Sequence, residues 1–302
     1  MDATVSTESK TATVDGVEET TEWVENAGRK FYVHNYKSVK QPPAATLTIV
    51  HGLCEHIDRY EDMARAFAKA GIQVLGFDQR GFGKTGRQHG RLGDSEGNTV
   101  VDLDIEFMNR RVAIDGVPHF LFGHSMGGLN VLAYTLGKNS DGHVKGVLAS
   151  APALVAGKAI LPPRIIELVL HQVVKIAPSI QKSTGITVDM MTSNQKEVER
   201  FNAGVENLSH CTLGTLSQII KRGGEVLEKA PTMTTPVFLV HADGDKATDC
   251  EGTRKFYSNL PEALDKEFKE VKGVQYHELH FEENLDFDLV EAYTQWILAR
   301  VN

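Results

Sequence analysis

Residues 123–128 read G-H-S-M-G-G (Gly123, His124, Ser125, Met126, Gly127, Gly128), and this stretch decides how the whole 302-residue chain is read. It follows the apolar run H-F-L-F-G-H (119–124) and leads directly into a helical stretch that begins at Met126. A serine in G-x-S-x-G between a strand and a helix is the pattern of a nucleophile elbow, in which a sharp turn lifts the hydroxyl above the sheet. Glycines at 123 and 127 are what would let neighbouring backbone approach that turn closely. A plain glycine-rich connection is the competing reading; the strand before and the helix after favour the elbow.

Working outward, short apolar strands alternate with amphipathic helices. The strands are A-T-L-T-I-V-H-G (45–52), I-Q-V-L-G-F-D-Q (72–79), V-K-G-V-L-A-S (144–150), T-P-V-F-L-V-H-A (235–242) and K-E-F-K-E-V (266–271). Between them come helices at 59–71, stopped by Gly71, and at 100–112, with acids early and arginines late, then at about 251–260 and 286–300. Strands that are apolar almost throughout imply a mostly parallel central sheet with helices on both faces, an α/β fold. E-W-V-E-N and R-K-F-Y-V-H-N-Y, separated by Ala27-Gly28, predict an antiparallel pair at its edge. The rhythm lapses from 153 to 232, where no good strand is found, so this segment is expected to be an inserted helical cap. The core is then 21–152 with 233–302, and residues 1–20 are expected to form a flexible arm.

Composition narrows the class. Hydrophobic residues at 41% and charged residues at 24% are those of a soluble globular chain, and a formal net charge of −8 with no basic patch argues against nucleic acid as a partner. Cys54, Cys211 and Cys250 are too few and too scattered for a disulfide framework. The N-terminus has no apolar h-region and no run of 18 apolar residues exists, so the expected compartment is the cytoplasm.

A serine hydroxyl needs a base, and the base needs a group that fixes its tautomer. With an elbow of this kind the order along the chain is serine, acid, histidine. H-A-D-G-D-K-A-T-D, after strand 235–242, offers Asp243, Asp245 and Asp249; Y-H-E-L-H, after strand 266–271, offers His277 and His280. The order Ser125, Asp245, His277 fits. An oxyanion would be held by the N–H of Met126, next after the nucleophile, and by that of Leu53 in H-G-L-C-E-H, each such donor supplying ~2.7–4 kcal/mol. H-E-L-H is not read as a metal site: its histidines stand at i and i+3, whereas the zinc motif needs i and i+4. No cofactor is expected.

H-G-L-C-E-H-I-D-R-Y, F-D-Q-R-G-F-G, G-H-S-M-G-G, H-A-D-G-D and Y-H-E-L-H occur in this order. Together they resemble the monoacylglycerol lipase branch of the α/β-hydrolase superfamily, fungal and bacterial members included, from about residue 20 onward. The resemblance implies a serine hydrolase that cleaves a small lipid ester, with the acid on Asp245, the base on His277, and an apolar acyl tunnel under the cap. It also implies that Glu55, Arg59 and His280 meet a glycerol headgroup, although Glu55 and Arg59 read equally well as an ion pair fixing the loop. Cys54 stands where the family has glycine, and F-E-E-N where it often has N-E-P. Lysophospholipase, general carboxylesterase and prolyl aminopeptidase are the rivals of the same fold, and a binding protein on a retired hydrolase scaffold is the rival of another class. The apolar stretch 165–177 is expected to cover the pocket, then to touch a membrane or lipid droplet, then to make a homodimer contact, in that order.

Overall fold

The computed structural model describes residues 9–157 and 174–301. In chain order the elements are β1 (Lys10–Val14), β2 (Val17–Asn26), β3 (Arg29–Tyr36), β4 (Ala45–Val50), α1 (Glu61–Ala70), β5 (Ile72–Phe77), α2 (Gly83–His89), α3 (Asn98–Val112), β6 (His119–His124), α4 (Met126–Lys138) and β7 (Val144–Ser150). There follow β8 (Gln181–Ser183), α5 (Val188–Met191), α6 (Gln195–Ala203), β9 (His210–Thr212), α7 (Leu213–Lys229), β10 (Val237–Ala242), α8 (Cys250–Asn259), β11 (Lys266–Val271) and α9 (Leu289–Leu298).

Nine strands form one sheet in the order β1-β2-β3-β5-β4-β6-β7-β10-β11. The run from β5 to β11 is parallel, and β1, β2 and β3 join its edge antiparallel. Side chains alternate between two cores because successive strand residues face opposite ways. Leu47, Ile49, Phe120, Phe122, Phe238 and Val240 pack with Phe67 of α1 and Tyr293 and Trp296 of α9. Val50, Leu121, Val147, Val237 and Leu239 pack on the other face with Ile105 and Met108 of α3, Leu129 of α4 and Phe256 of α8. The sheet covered on both faces is the expected one, and the helix expected at 59–71 forms as α1, its buried face Met63, Ala64, Phe67 and Ala68. Gly71 ends it in the left-handed region (φ 104°), giving its N–H to Ala68 and Phe67 carbonyls.

Two expectations are corrected. Residues 10–20, expected in a flexible arm, are strand: β1 pairs with β2 from Lys10↔Thr21 to Val14↔Val17. The Asp15-Gly16 turn (φ 50° and 81°) supplies the two left-handed residues that a tight hairpin requires, and its apolar pattern is weak because β1 is exposed at the sheet edge. The segment 153–232 is not purely helical, because β8 and β9 form a small antiparallel sheet within it. The apolar stretch 165–177 lies outside the described residues as far as 173. Among the described residues no helix is long and apolar enough to cross a membrane.

Candidate active site

Ser125 is the single residue between β6 and α4, with φ 54° and ψ −118°. A non-glycine residue in that region is strained and persists only where the surroundings over-determine it. Here the Ser125 N–H donates to the Ser150 carbonyl (2.9 Å), and its own carbonyl accepts from Leu129 and Ala153 (3.0 Å each). The two glycines are required by contact rather than by dihedral angle. A Cβ on Gly123 would overlap the Gly127 carbonyl, and one on Gly127 would overlap the Val50 carbonyl of the neighbouring strand.

The acid and the histidine come from the loops after the last two strands of the sheet, β10 and β11, which β7 separates from β6. Asp245 follows β10 and His277 follows β11. His277 Nδ1 lies 2.6 Å from Asp245 Oδ2. The other oxygen, Oδ1, accepts the N–H groups of Ala247 (2.8 Å) and Thr248 (3.1 Å). Thr248 Oγ1 donates to Oδ2 at 3.0 Å, and His241 Nε2 lies 3.2 Å from it. Burial works to raise the Asp245 carboxyl, but the two histidines and their hydrogen bonds outweigh it and hold it well below the usual carboxylate range. Burial likewise lowers His277, and the Asp245 charge and hydrogen bond overcome it, so that His277 is raised. With Nδ1 facing a carboxylate, Nδ1 carries the proton and Nε2 holds a lone pair. Nε2 has no hydrogen-bond partner among the described residues. Ser125 and His277 line one pocket, together with Gly52, Leu53, Cys54 and His124. Asp243 and Asp249, the other candidate acids, are engaged elsewhere: Asp243 accepts from Gly273 N–H and Asp249 caps α8.

The expected oxyanion donors lie next to Ser125 in the chain or in its pocket wall. Met126 is the first residue of α4, where a helix N–H has no intrahelical acceptor. Leu53 lies in the pocket wall just after Gly52, whose N–H is taken by Glu55 Oε1 and so fixes the course of the loop.

The residues assigned to a headgroup divide. Glu55 and Arg59 do line the pocket but are bound to each other, Arg59 Nη1 to Glu55 Oε2 at 2.8 Å. Arg59 also grips Glu278 with two hydrogen bonds of 2.5 and 2.8 Å, and Tyr60 donates to Glu55 Oε1 at 2.8 Å. All three charged side chains are buried. Burial raises Glu55, while Arg59 overcomes burial at Glu278 and lowers it. His280 is not in the pocket wall. Its ring stacks on Tyr60 (centroids 5.2 Å apart, planes 19° apart) and lies against Phe122 and His124, and loss of solvent pushes it down to about 3. Among the described residues neither of its ring nitrogens has a hydrogen-bond partner, and it sits in the helical turn at 279–281, three residues beyond His277.

Sequence reading missed Glu278, His241 and Thr248. Glu278 was visible only as the glutamate inside H-E-L-H, and its partner lies 219 residues away. His241 sits in the same H-A-D-G-D stretch as Asp245, but nothing in the spacing says that its ring turns toward the acid.

An α/β-hydrolase is what this sheet, and the strand ends that carry its polar residues, define. The chain belongs to the family described as Serine aminopeptidase, S33, which matches residues 41–284. It is 28% identical over 269 residues to the putative monoglyceride lipase of Schizosaccharomyces pombe, covering 88% of this chain and 70% of that one. It is 31% identical over 263 residues to an uncharacterized abhydrolase domain-containing protein of Dictyostelium discoideum, covering 87% of this chain and spanning only 27% of that relative. Among solved structures, the monoacylglycerol lipase of Paleococcus ferrophilus matches with a TM-score of 0.79 at 25% identity, over 89% of this chain and 99% of that one.

Proposed function

We propose that this chain is a serine hydrolase that cleaves monoacylglycerols and related small carboxylic esters to fatty acid and alcohol, and that Ser125, His277 and Asp245 carry the reaction. The class is that of a carboxylic ester hydrolase; the glycerol ester is the finer reading, supported by the lipases it resembles. The observation that carries it is His277, tied at Nδ1 to Asp245 (2.6 Å), with an Nε2 that has no partner among the described residues, in the pocket of a strained serine.

His277 Nε2 accepts the Ser125 proton as Oγ attacks the ester carbonyl, and Asp245 stabilises the imidazolium that forms. The N–H groups of Leu53 and Met126 hold the oxyanion. The tetrahedral intermediate collapses as His277 returns the proton to the alcohol, leaving an acyl group on Ser125. Water, deprotonated by His277, then releases the acid and restores the serine. The described part of the 153–232 segment serves as the cap, with Ile186, Met191, Phe201 and Leu208 supplying an apolar wall for the acyl chain. Ser125→Ala assayed on a monoacylglycerol tests the reading: turnover falls to background, and undiminished turnover would overturn it.

A second reading, a carboxylesterase with broad tolerance of the alcohol, is favoured by one observation. Glu55 and Arg59 turn most of their polar atoms to each other, Glu278, Tyr60 and the Gly52 N–H, which leaves few donors for a glycerol headgroup. Comparing kcat/KM for a monoacylglycerol and a methyl ester of the same acid separates the two.

A further inference from the structure

The backbone that carries His277 is held by the cap. Its N–H donates to the Met190 carbonyl (3.0 Å), and the next, that of Glu278, donates to the Met191 carbonyl (2.8 Å). Both acceptors lie at the end of α5. Four residues further on, in the F-E-E-N that departs from the familiar N-E-P, Glu282 reaches the segment from the other side. Its Oε1 accepts the Thr192 hydroxyl (2.6 Å) and the Ser193 N–H (2.7 Å), and its Oε2 accepts the Ser193 hydroxyl (2.6 Å). Asn194 adds two more contacts, its amide donating to the Phe281 carbonyl (3.0 Å) and to Glu283 Oε1 (3.1 Å). The same Asn194 caps α6, its side chain accepting the Lys196 N–H. Seven hydrogen bonds thus join 190–194 to 277–283, two segments about ninety residues apart in the chain.

The cap also meets the pocket here. Met191 and, on α6, Phe201 are both in the pocket wall. We propose that Glu282 is a positioning residue: it clamps the cap segment 190–194 to the His277 loop, so that the cap wall and the base move as one unit. An acyl chain pressing on Met191 and Phe201 then bears on the residues that fix where Nε2 points. Charge favours a carboxylate here, since one acidic side chain accepts three donors at once, and hydrogen bonds to a charged acceptor are the stronger kind. Misplacing a reacting group by an ångström costs rate rather than binding.

This inference rests on the reading of Ser125 and His277 given above, and the test separates the two. Glu282→Ala, Glu282→Gln and Ser193→Ala are compared with wild type on a short-chain p-nitrophenyl ester at 25 °C, alongside labelling by a fluorophosphonate and a melting curve for each. Glutamine keeps one oxygen for Thr192 and Ser193 N–H and offers its NH2 to the Ser193 hydroxyl, so it restores the clamp in part. The expected result is a fall of about 10–100-fold in kcat for Glu282→Ala in folded protein with KM changed by roughly twofold or less. Glu282→Gln recovers most of that loss, and Ser193→Ala shows a smaller loss in the same direction. A Glu282→Ala enzyme that melts lower but keeps its kcat, or a loss that glutamine does not repair, overturns the clamp. A wild type that neither turns over the ester nor takes the label overturns instead the reading of Ser125.

Discussion

Replacing Asp245 with asparagine alters one atom and reverses the hydrogen bond that orients His277. The Ala247 and Thr248 N–H groups already hold Oδ1, so the asparagine oxygen stays there. Its NH2 therefore takes the place of Oδ2, 2.6 Å from His277 Nδ1 and 3.2 Å from His241 Nε2. A donor facing Nδ1 drives the proton to Nε2, which then cannot accept from Ser125. The negative charge that holds the imidazolium is lost as well. A wrong-tautomer substitution of this kind lowers kcat by about 10⁴, equivalent to about 5.4 kcal/mol at 1.36 kcal/mol per decade. The assay is kcat on a p-nitrophenyl ester at neutral pH, with a melting curve to show that the protein is folded. A folded Asp245→Asn enzyme within tenfold of wild type would refute the role given to Asp245.

Four further outcomes follow from the geometry. Gly127→Ala drives a methyl group into the Val50 carbonyl, and denaturant unfolding is expected to show a loss of about 3 kcal/mol or more; a loss within 0.5 kcal/mol would contradict the close approach. Arg59→Met leaves Glu55 and Glu278 buried without their partner at a cost of about 3–5 kcal/mol, part of which a second change, Glu278→Gln, returns. His51 and His119 are lowered to about 3 by burial. Between that value and the ordinary histidine value the unfolded chain binds more protons, so stability falls as pH drops below about 6.5, by about 2 kcal/mol for each of the two at pH 5. A urea midpoint that stays level from pH 7.5 to 5 would contradict it. The Cys54 thiol is raised by its contact with the Cys211 thiol and by burial, and burial pushes Cys250 up to about 12, so neither is expected to react with a thiol reagent at neutral pH before unfolding.

The central parallel strands were legible because they are buried on both faces and so write themselves as apolar runs, whereas the outermost strand β1 was not. β1 carries Lys10, Thr11 and Thr13, exposed at the rim, and only Asp15-Gly16 marked its hairpin. α2 (G-K-T-G-R-Q-H) was hidden for a different reason: its two glycines are poor helix formers, and Gly86 is there because it packs against the backbone of Gly81. At the site, Ser125, Asp245 and His277 could be proposed from motif order, since each lies in the loop that follows a strand. Glu278, Glu282 and His241 could not, because their roles depend on partners brought to them by the fold. His280, three residues from His277, lies in an aromatic stack with Tyr60 that the motif alone does not show.

The nucleophilicity of Ser125 is central to the proposed reaction, and covalent labelling measures it directly. The purified chain is treated with a fluorophosphonate, and the adduct is weighed by intact-mass spectrometry and located by peptide mapping. A single adduct on the peptide bearing Ser125, lost in Ser125→Ala and greatly slowed in His277→Ala, is the expected result. No adduct on folded protein, or an adduct that persists when Ser125 is alanine, would contradict it.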